Sequence, residues 1–189
     1  MKTFIALTFI GIQTYAFAEK PSKKTECNYK AMENFDSTRY LQINRAFVTH
    51  SREGTGAIIC RLYKTQKSGD KTDKININIY EYFEKRRDIY YSENHCNTTL
   101  ASINKGTFVS SCKEVMLTVR QKDTKKKPKP RIIEVYTSVI DTDYDKYIIH
   151  YRCVKTKSSI KDNIEVLQTN KNAGDEPIKQ ALKKNGLEL

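Results

Sequence analysis

From Gly56 onward, apolar and polar side chains alternate in short runs, and polar breaks separate one run from the next. The clearest run is 74–82, where Ile75, Ile77 and Ile79 fall on one face and Asn76, Asn78 and Tyr80 on the other. A period of two belongs to a strand with one buried face and cannot supply a helical stripe. Comparable runs at 41–50, 57–63, 88–92, 106–112, 114–121, 131–140, 146–154 and 163–169 give eight or nine strands joined by short polar turns. An antiparallel up-and-down barrel, which leaves no free sheet edge, accounts best for this pattern, with a two-sheet sandwich second. The period then changes. Asp175 offers a helix cap, Pro177 suits a first turn, Ile178, Ala181 and Leu182 form an apolar stripe, and Asn185-Gly186 an end. The expected architecture is all-β, eight strands in a closed barrel, with one C-terminal amphipathic helix packed on it.

The first residues follow another logic. Lys2, an apolar stretch over 4–12 and the small-residue pattern Ala16-Phe17-Ala18 make a secretory signal peptide at 1–18, leaving 19–189 as a single domain. No later stretch approaches the ~20 apolar residues of a membrane-spanning helix. The formal charge is +12 and falls to +11 when the signal, with its one lysine, is removed. Such a balance favours anionic partners, and export argues against nucleic acid. Five cysteines, Cys27, Cys60, Cys96, Cys112 and Cys153, imply disulfides with one thiol left over in an exported chain. Asn97-Thr98-Thr99 is a glycosylation sequon, which makes Asn97 the expected acceptor.

Thr142-Asp143-Tyr144, followed by Tyr147 and an apolar strand ending in Cys153, resembles the second sequence motif of lipocalins, at the turn between the sixth and seventh strands. The run from Cys27-Asn28-Tyr29 to Thr38-Arg39-Tyr40, together with Phe47-Val48-Thr49-His50 and 166–172, is similar to the salivary lipocalins of blood-feeding triatomine bugs. That group includes the nitrophorins, triabin-like proteins and nucleotide-binding platelet-aggregation inhibitors, and the likeness to the last is greatest. The usual Gly-x-Trp of the first strand is missing, since the chain has no Trp, so other side chains must close the barrel floor. The resemblance implies bridges Cys27–Cys153 and Cys96–Cys112. It leaves Cys60 as a free thiol, or else missing a partner beyond Leu189.

The resemblance also bears on chemistry. Nitrophorins hold haem through a third-strand histidine, and Tyr80-Glu81-Tyr82 puts a carboxylate at that place, so no haem is expected. His50, His95 and His150 show no metal-ligand spacing. Asp141, Asp143 and Asp145 imitate the start of a calcium loop but lack its glycine and closing glutamate. With neither a nucleophile elbow nor a glycine-rich phosphate loop, the chain reads as a binding protein and not an enzyme. By strand parity Glu81 shares the face of Ile75, Ile77 and Ile79. If that face is lumenal, Glu81 needs an internal arginine or a cationic ligand such as a biogenic amine; if the strand is rotated, it meets water.

A nucleotide would need aromatic surface and arginines, for which Arg61, Tyr63, Arg120, Tyr147 and Tyr151 are the candidates. The basic run 125–131 could steer anions to the barrel mouth, or hold the protein on anionic glycans or a platelet surface; otherwise it is a solvated loop. The function these features imply is that of a monomeric salivary lipocalin which sequesters a small platelet agonist, preferably adenosine diphosphate, and inhibits aggregation. The alternatives are a biogenic-amine scavenger and a triabin-like inhibitor of a clotting protease; a strongly basic chain is poorly matched to a protease's basic exosite.

Overall fold

Eight antiparallel strands close into one barrel in a computed structural model that describes residues 26–52, 58–69, 73–85, 88–118, 129–156 and 159–188. The strands are β1 (Arg45–Ser51), β2 (Ile58–Lys67), β3 (Lys74–Lys85), β4 (Asp88–Thr99), β5 (Thr107–Thr118), β6 (Arg131–Thr142), β7 (Tyr147–Lys155) and β8 (Ile160–Gln168). Each pairs with its sequence neighbour, and β1 also pairs with β8, so every edge is satisfied. Short helices α1 (Ser37–Tyr40) and α2 (Leu100–Ile103) lie at one end, and α3 (Glu176–Lys184) follows β8. The signal segment 1–18, Arg120 and residues 125–128 of the basic run lie outside the described residues.

Two of the expected strands, 106–112 and 114–121, form one over the described residues, which end at Thr118 here. β5 runs without a break over Thr107–Thr118, and both Lys113 and Glu114 pair with β4, opposite His95 and Asn94, and with β6, opposite Ile132 and Arg131. The polar Lys113-Glu114 step reads as a break in sequence but forms an ordinary pair of ladder positions. β4 likewise extends well past Ser92. Its lumenal positions there, Asn94, Cys96 and Thr98, are polar or small, so the alternation that marks a strand is absent although all three are buried. Asp175 precedes α3 as expected, yet its side chain makes no capping hydrogen bond; it lies 3.6 Å from His50 instead.

Two cores result. The inner one fills the barrel with Ile75, Ile77, Ile79, Ile133, Val135 and Ile148 among others. Each such side chain contributes ~1.5–3 kcal/mol through removal from water. The outer core lies between the β6–β8 wall, α3 and the N-terminal segment, and joins Ile149, Tyr151, Cys153, Ile164, Val166, Ile178 and Ala181. Asp141 fastens α3 there, accepting from Asn185 Nδ2 at 2.7 Å and facing Lys184 Nζ at 3.4 Å.

The floor shows what replaces tryptophan. Tyr40, Ile43, Ile103 and Phe108 are buried at the closed end, with the Phe35 ring 5.3 Å from that of Tyr40. Burial pushes the Tyr40 hydroxyl up to about 12. The Thr-Asp-Tyr turn ties this end together. Asp143 Oδ1 accepts from the amides of Asp145, Lys146 and Tyr147, while Thr142 Oγ1 accepts from the Tyr144 amide. Tyr144 sits at φ +64°, a conformation disfavoured for a bulky side chain. Three contacts hold it there: its hydroxyl accepts from the Asp36 amide at 2.8 Å, its ring lies under the Arg39 guanidinium at 4.4 Å, and its ring packs near Phe35. Of the acidic residues that imitate a calcium loop, Asp143 therefore acts as the turn acceptor and Asp141 as an anchor for α3.

Candidate functional site

The lumen is lined by β2 through Arg61, Tyr63 and Thr65, and by β3 through Ile77 and Ile79, with Glu81 on the same face nearer the open end. Cross-strand register decides what meets what. Arg61 pairs directly with Glu81, and His150 of β7 with Glu165 of β8. Closure of the barrel then brings β2 against the β7–β8 pair across the interior.

The result is a buried network that no local sequence signal announces. Arg61 is 6 % exposed. Its Nε donates to Glu81 Oε2 at 3.0 Å and its terminal nitrogen to Glu165 Oε1. Glu165 Oε2 also accepts from the Tyr63 hydroxyl and from His150 Nε2, each at 3.0 Å. Glu165 thus accepts three hydrogen bonds where solvent does not reach. Burial alone would raise its carboxyl, but Arg61, the bond from His150 and the nearby charge of Arg152 outweigh it and hold the group well below the usual carboxylate range. Burial pushes the Tyr63 hydroxyl up, and the adjacent Glu165 charge adds to that. For Arg61, burial disfavours the charge, yet Glu165, Tyr63 and Glu81 keep the guanidinium protonated. Arg152 pairs with Asn163, and its Nε is buried without a hydrogen-bond partner among the described residues.

Towards the floor the walls become apolar, with Ala46, Ile77, Ile79, Phe108, Ile148 and Leu167 around the space and the Cys96–Cys112 bridge beside it. Polar side chains interrupt this surface at Thr65, Ser110 and Thr137, and Asn94 stands on the same face of β4, paired with Ile79. Asn94 Oδ1 and Ser110 Oγ are buried and have no hydrogen-bond partner among the described residues. The space enclosed is about 30 Å³, enough for about one or two waters. A larger guest must displace side chains. Towards the mouth, Phe83 and Tyr90 share the lumenal face of Glu81 by register and stack at 5.4 Å.

The expected site residues therefore separate. Arg61, Tyr63 and Glu81 converge in the lumen, and Glu81 has found an internal arginine. Tyr147 and Tyr151 do not join them: β7 turns Ile148 and His150 inward and these tyrosines outward. Tyr151 is buried against Tyr29 at 5.1 Å, and the Tyr147 hydroxyl donates to Asp141 at 3.4 Å, so contact with a lumenal ligand is ruled out for both by placement. Burial pushes the Tyr147 hydroxyl up to about 12, with Asp141 and Asp143 adding to the rise. Glu165, His150 and Asn94, which sequence reasoning passed over, stand inside. Cys27 is bridged to Cys153 and Cys96 to Cys112, while Cys60 is an exposed thiol on β2. Asn97 is exposed on the outer face of β4.

A closed eight-stranded barrel with an aromatic floor, a helix on its wall and a polar cluster inside its lumen defines a lipocalin. Known proteins narrow the class. A family model described as Triabin matches residues 16–181. Pallidipin of Meccus pallidipennis is 37% identical over 97% of this chain and 89% of its own length. Platelet inhibitor triplatin-2 of Triatoma infestans is 32% identical over 100% of this chain and 94% of its own. The chain belongs to the triabin family of lipocalins. Among solved structures, the tryptamine complex of the amine-binding protein of Rhodnius prolixus superposes with a TM-score of 0.62 at 20% identity, covering 86% of this chain and 82% of that one. A leukotriene C4 complex of a mutant of LTBP1 superposes with a TM-score of 0.55 at 21% identity, covering 89% and 94%. At these identities the two share the fold.

Proposed function

We propose that this chain is a secreted salivary lipocalin that sequesters a small platelet agonist in its barrel and so inhibits platelet aggregation, the agonist having an apolar body and an acid group. The observation that carries the reading is the buried Arg61 guanidinium above a largely apolar chamber lined by Ser110, whose Oγ, like Asn94 Oδ1 on the same lumenal face, lacks a hydrogen-bond partner among the described residues. A guanidinium out of water binds a carboxylate strongly and in fixed geometry. Apolar walls hold a hydrocarbon body, and a ligand hydroxyl would satisfy Asn94 or Ser110, whose isolation is otherwise costly. That a relative bears the name platelet inhibitor supports the physiological end of the reading, and that a barrel of the same fold holds leukotriene C4 supports its chemistry.

Adenosine diphosphate, the agonist preferred on sequence, keeps only Arg61 and Tyr63 of its expected contacts among the described residues, because Tyr147 and Tyr151 face away. A biogenic amine would have to take Glu81 or Glu165 from Arg61 and strand a buried guanidinium, which is expensive. The reading assigns no haem, no metal and no turnover; scavenging is stoichiometric.

Titration calorimetry of the mature chain with arachidonic acid, leukotriene C4, adenosine diphosphate and serotonin tests it, alongside aggregation of washed platelets. Submicromolar binding of an acid near one-to-one, with inhibition that disappears when agonist exceeds protein, is the expected result. Binding of the nucleotide or the amine alone would overturn the ligand class, and inhibition without binding of any small molecule would overturn sequestration.

A further inference from the structure

The two carboxylates on Arg61 are held very differently. Glu165 is deep, its side chain 1% exposed, and accepts from Arg61, Tyr63 and His150. Glu81 lies nearer the mouth, its side chain 15% exposed, and accepts one hydrogen bond, from Arg61 Nε, among the described residues. Removing Glu165 from the guanidinium breaks a network of buried partners; removing Glu81 breaks one bond and moves a carboxylate towards water. Of the two carboxylates on Arg61, Glu81 is the one on the side of the open end.

We infer that Glu81 is a displaceable counter-ion which occupies the acid subsite of the empty barrel, and that an incoming carboxylate takes its place on Arg61 while Glu165 keeps the guanidinium fixed. The inference rests on the acid-sequestration reading and adds to it a built-in competitor that sets affinity. The exchange conserves charge. Arg61 and Arg152 face two carboxylates before ligand entry, and after it they face Glu165 and the ligand, with Glu81 turned to the mouth. It also selects for charge, because a neutral analogue cannot compensate Arg61 and must leave Glu81 in place. The ligand's body then enters the chamber between Ile79, Phe108 and Ile148 by displacing side chains around its small volume, and the Phe83–Tyr90 stack lies on the mouth side of the exchange.

The test uses the mature chain and its Glu81→Gln and Glu81→Ala variants, probed with cis-parinaric acid and its methyl ester by fluorescence, with thermal melts to establish folding. Relief of a competing charge-assisted hydrogen bond should raise affinity for the acid on the order of tenfold in either variant. Affinity for the ester should stay within about twofold, since no carboxylate is exchanged. If the unsubstituted chain binds the acid and neither variant gains, Glu81 is no competitor and the inference falls while acid sequestration stands. An equal gain for acid and ester overturns it too, because the variant has then opened space and not removed a charge. If neither the unsubstituted chain nor the variants bind the acid, both readings fall.

Discussion

Glu165 concentrates the energetics of the lumen in one side chain. Its partners are satisfied only as a set, so a single substitution is worse than its chemistry suggests. Glu165→Leu leaves Arg61 in a low-dielectric interior with only Glu81, and should cost about 3–5 kcal/mol of stability in urea denaturation. Protonation makes the same point more gently. The folded-state carboxyl is held below its ordinary value, so the unfolded chain takes up protons first as acid is added. The stability this group provides is complete above the unfolded value near ~4.3 and is lost as pH falls through and below it. Urea midpoints measured from pH 7 down to pH 3 should therefore fall steeply at the acid end, and less steeply in Glu165→Gln. A decline of equal slope in both would show that other carboxylates dominate.

At the scale of elements, the connection from α2 into β5 depends on Gly106. It has φ +71°, its amide donates to Ile103 O and its carbonyl accepts from the Val139 amide, both at 2.8 Å. A Cβ there would come within 3.1 Å of Ala31 Cβ and of the Phe35 ring, where the N-terminal segment crosses the floor. Gly106→Ala should destabilise by roughly 1–3 kcal/mol, from the left-handed backbone and the crowded floor together. The same N-terminal segment is sewn to the wall by Cys27–Cys153, which closes a loop of 126 residues in sequence separation. Replacing both cysteines by serine should lower stability by about 2–5 kcal/mol. The loss should be largest in probes that report Tyr29 and Tyr151, which stack beside the bridge. Cys60, exposed on β2, should react with one equivalent of maleimide without denaturant, while a chain with three modified thiols would mean that one bridge is open.

For the whole molecule, the two cores explain why a ligand site of this kind can exist. The outer core under α3 and the N-terminal segment gives the β6–β8 wall apolar packing on its outside, so that wall can carry His150, Arg152 and Glu165 on its inside. Stability supplied outside offsets the cost of a polar interior. Shortening the chain before α3 should thus weaken ligand binding as well as folding, because Ile178 and Ala181 would uncover Ile149, Ile164 and Val166, whose strands position His150 and Glu165. The net positive charge, +12 for the whole sequence, is a separate property of the chain. It should speed capture of an anionic ligand at low ionic strength, with little effect at high salt on how tightly the lumen holds it.

The sequence by itself determined the all-β class, the alternating strand runs and the C-terminal helix, because one wet and one dry face leave their mark on every second residue; it favoured a closed barrel over a sandwich and left open whether the isoleucine face of β3 is lumenal. Ile75, Ile77 and Ile79 show this plainly. Only the tertiary structure decided which residues share the lumen. In β7 and β8 the usual sign is inverted: Ile149, Tyr151, Ile164 and Val166 look outward to α3 and the N-terminal segment, whereas His150 and Glu165 look inward. A reader of the pattern alone places the tyrosines inside and passes over Glu165. Arg61 and Glu165 stand 104 positions apart, and no local period connects them. They meet because β1 closes on β8, and a contact created by closure is a property of the assembled barrel and of no single segment.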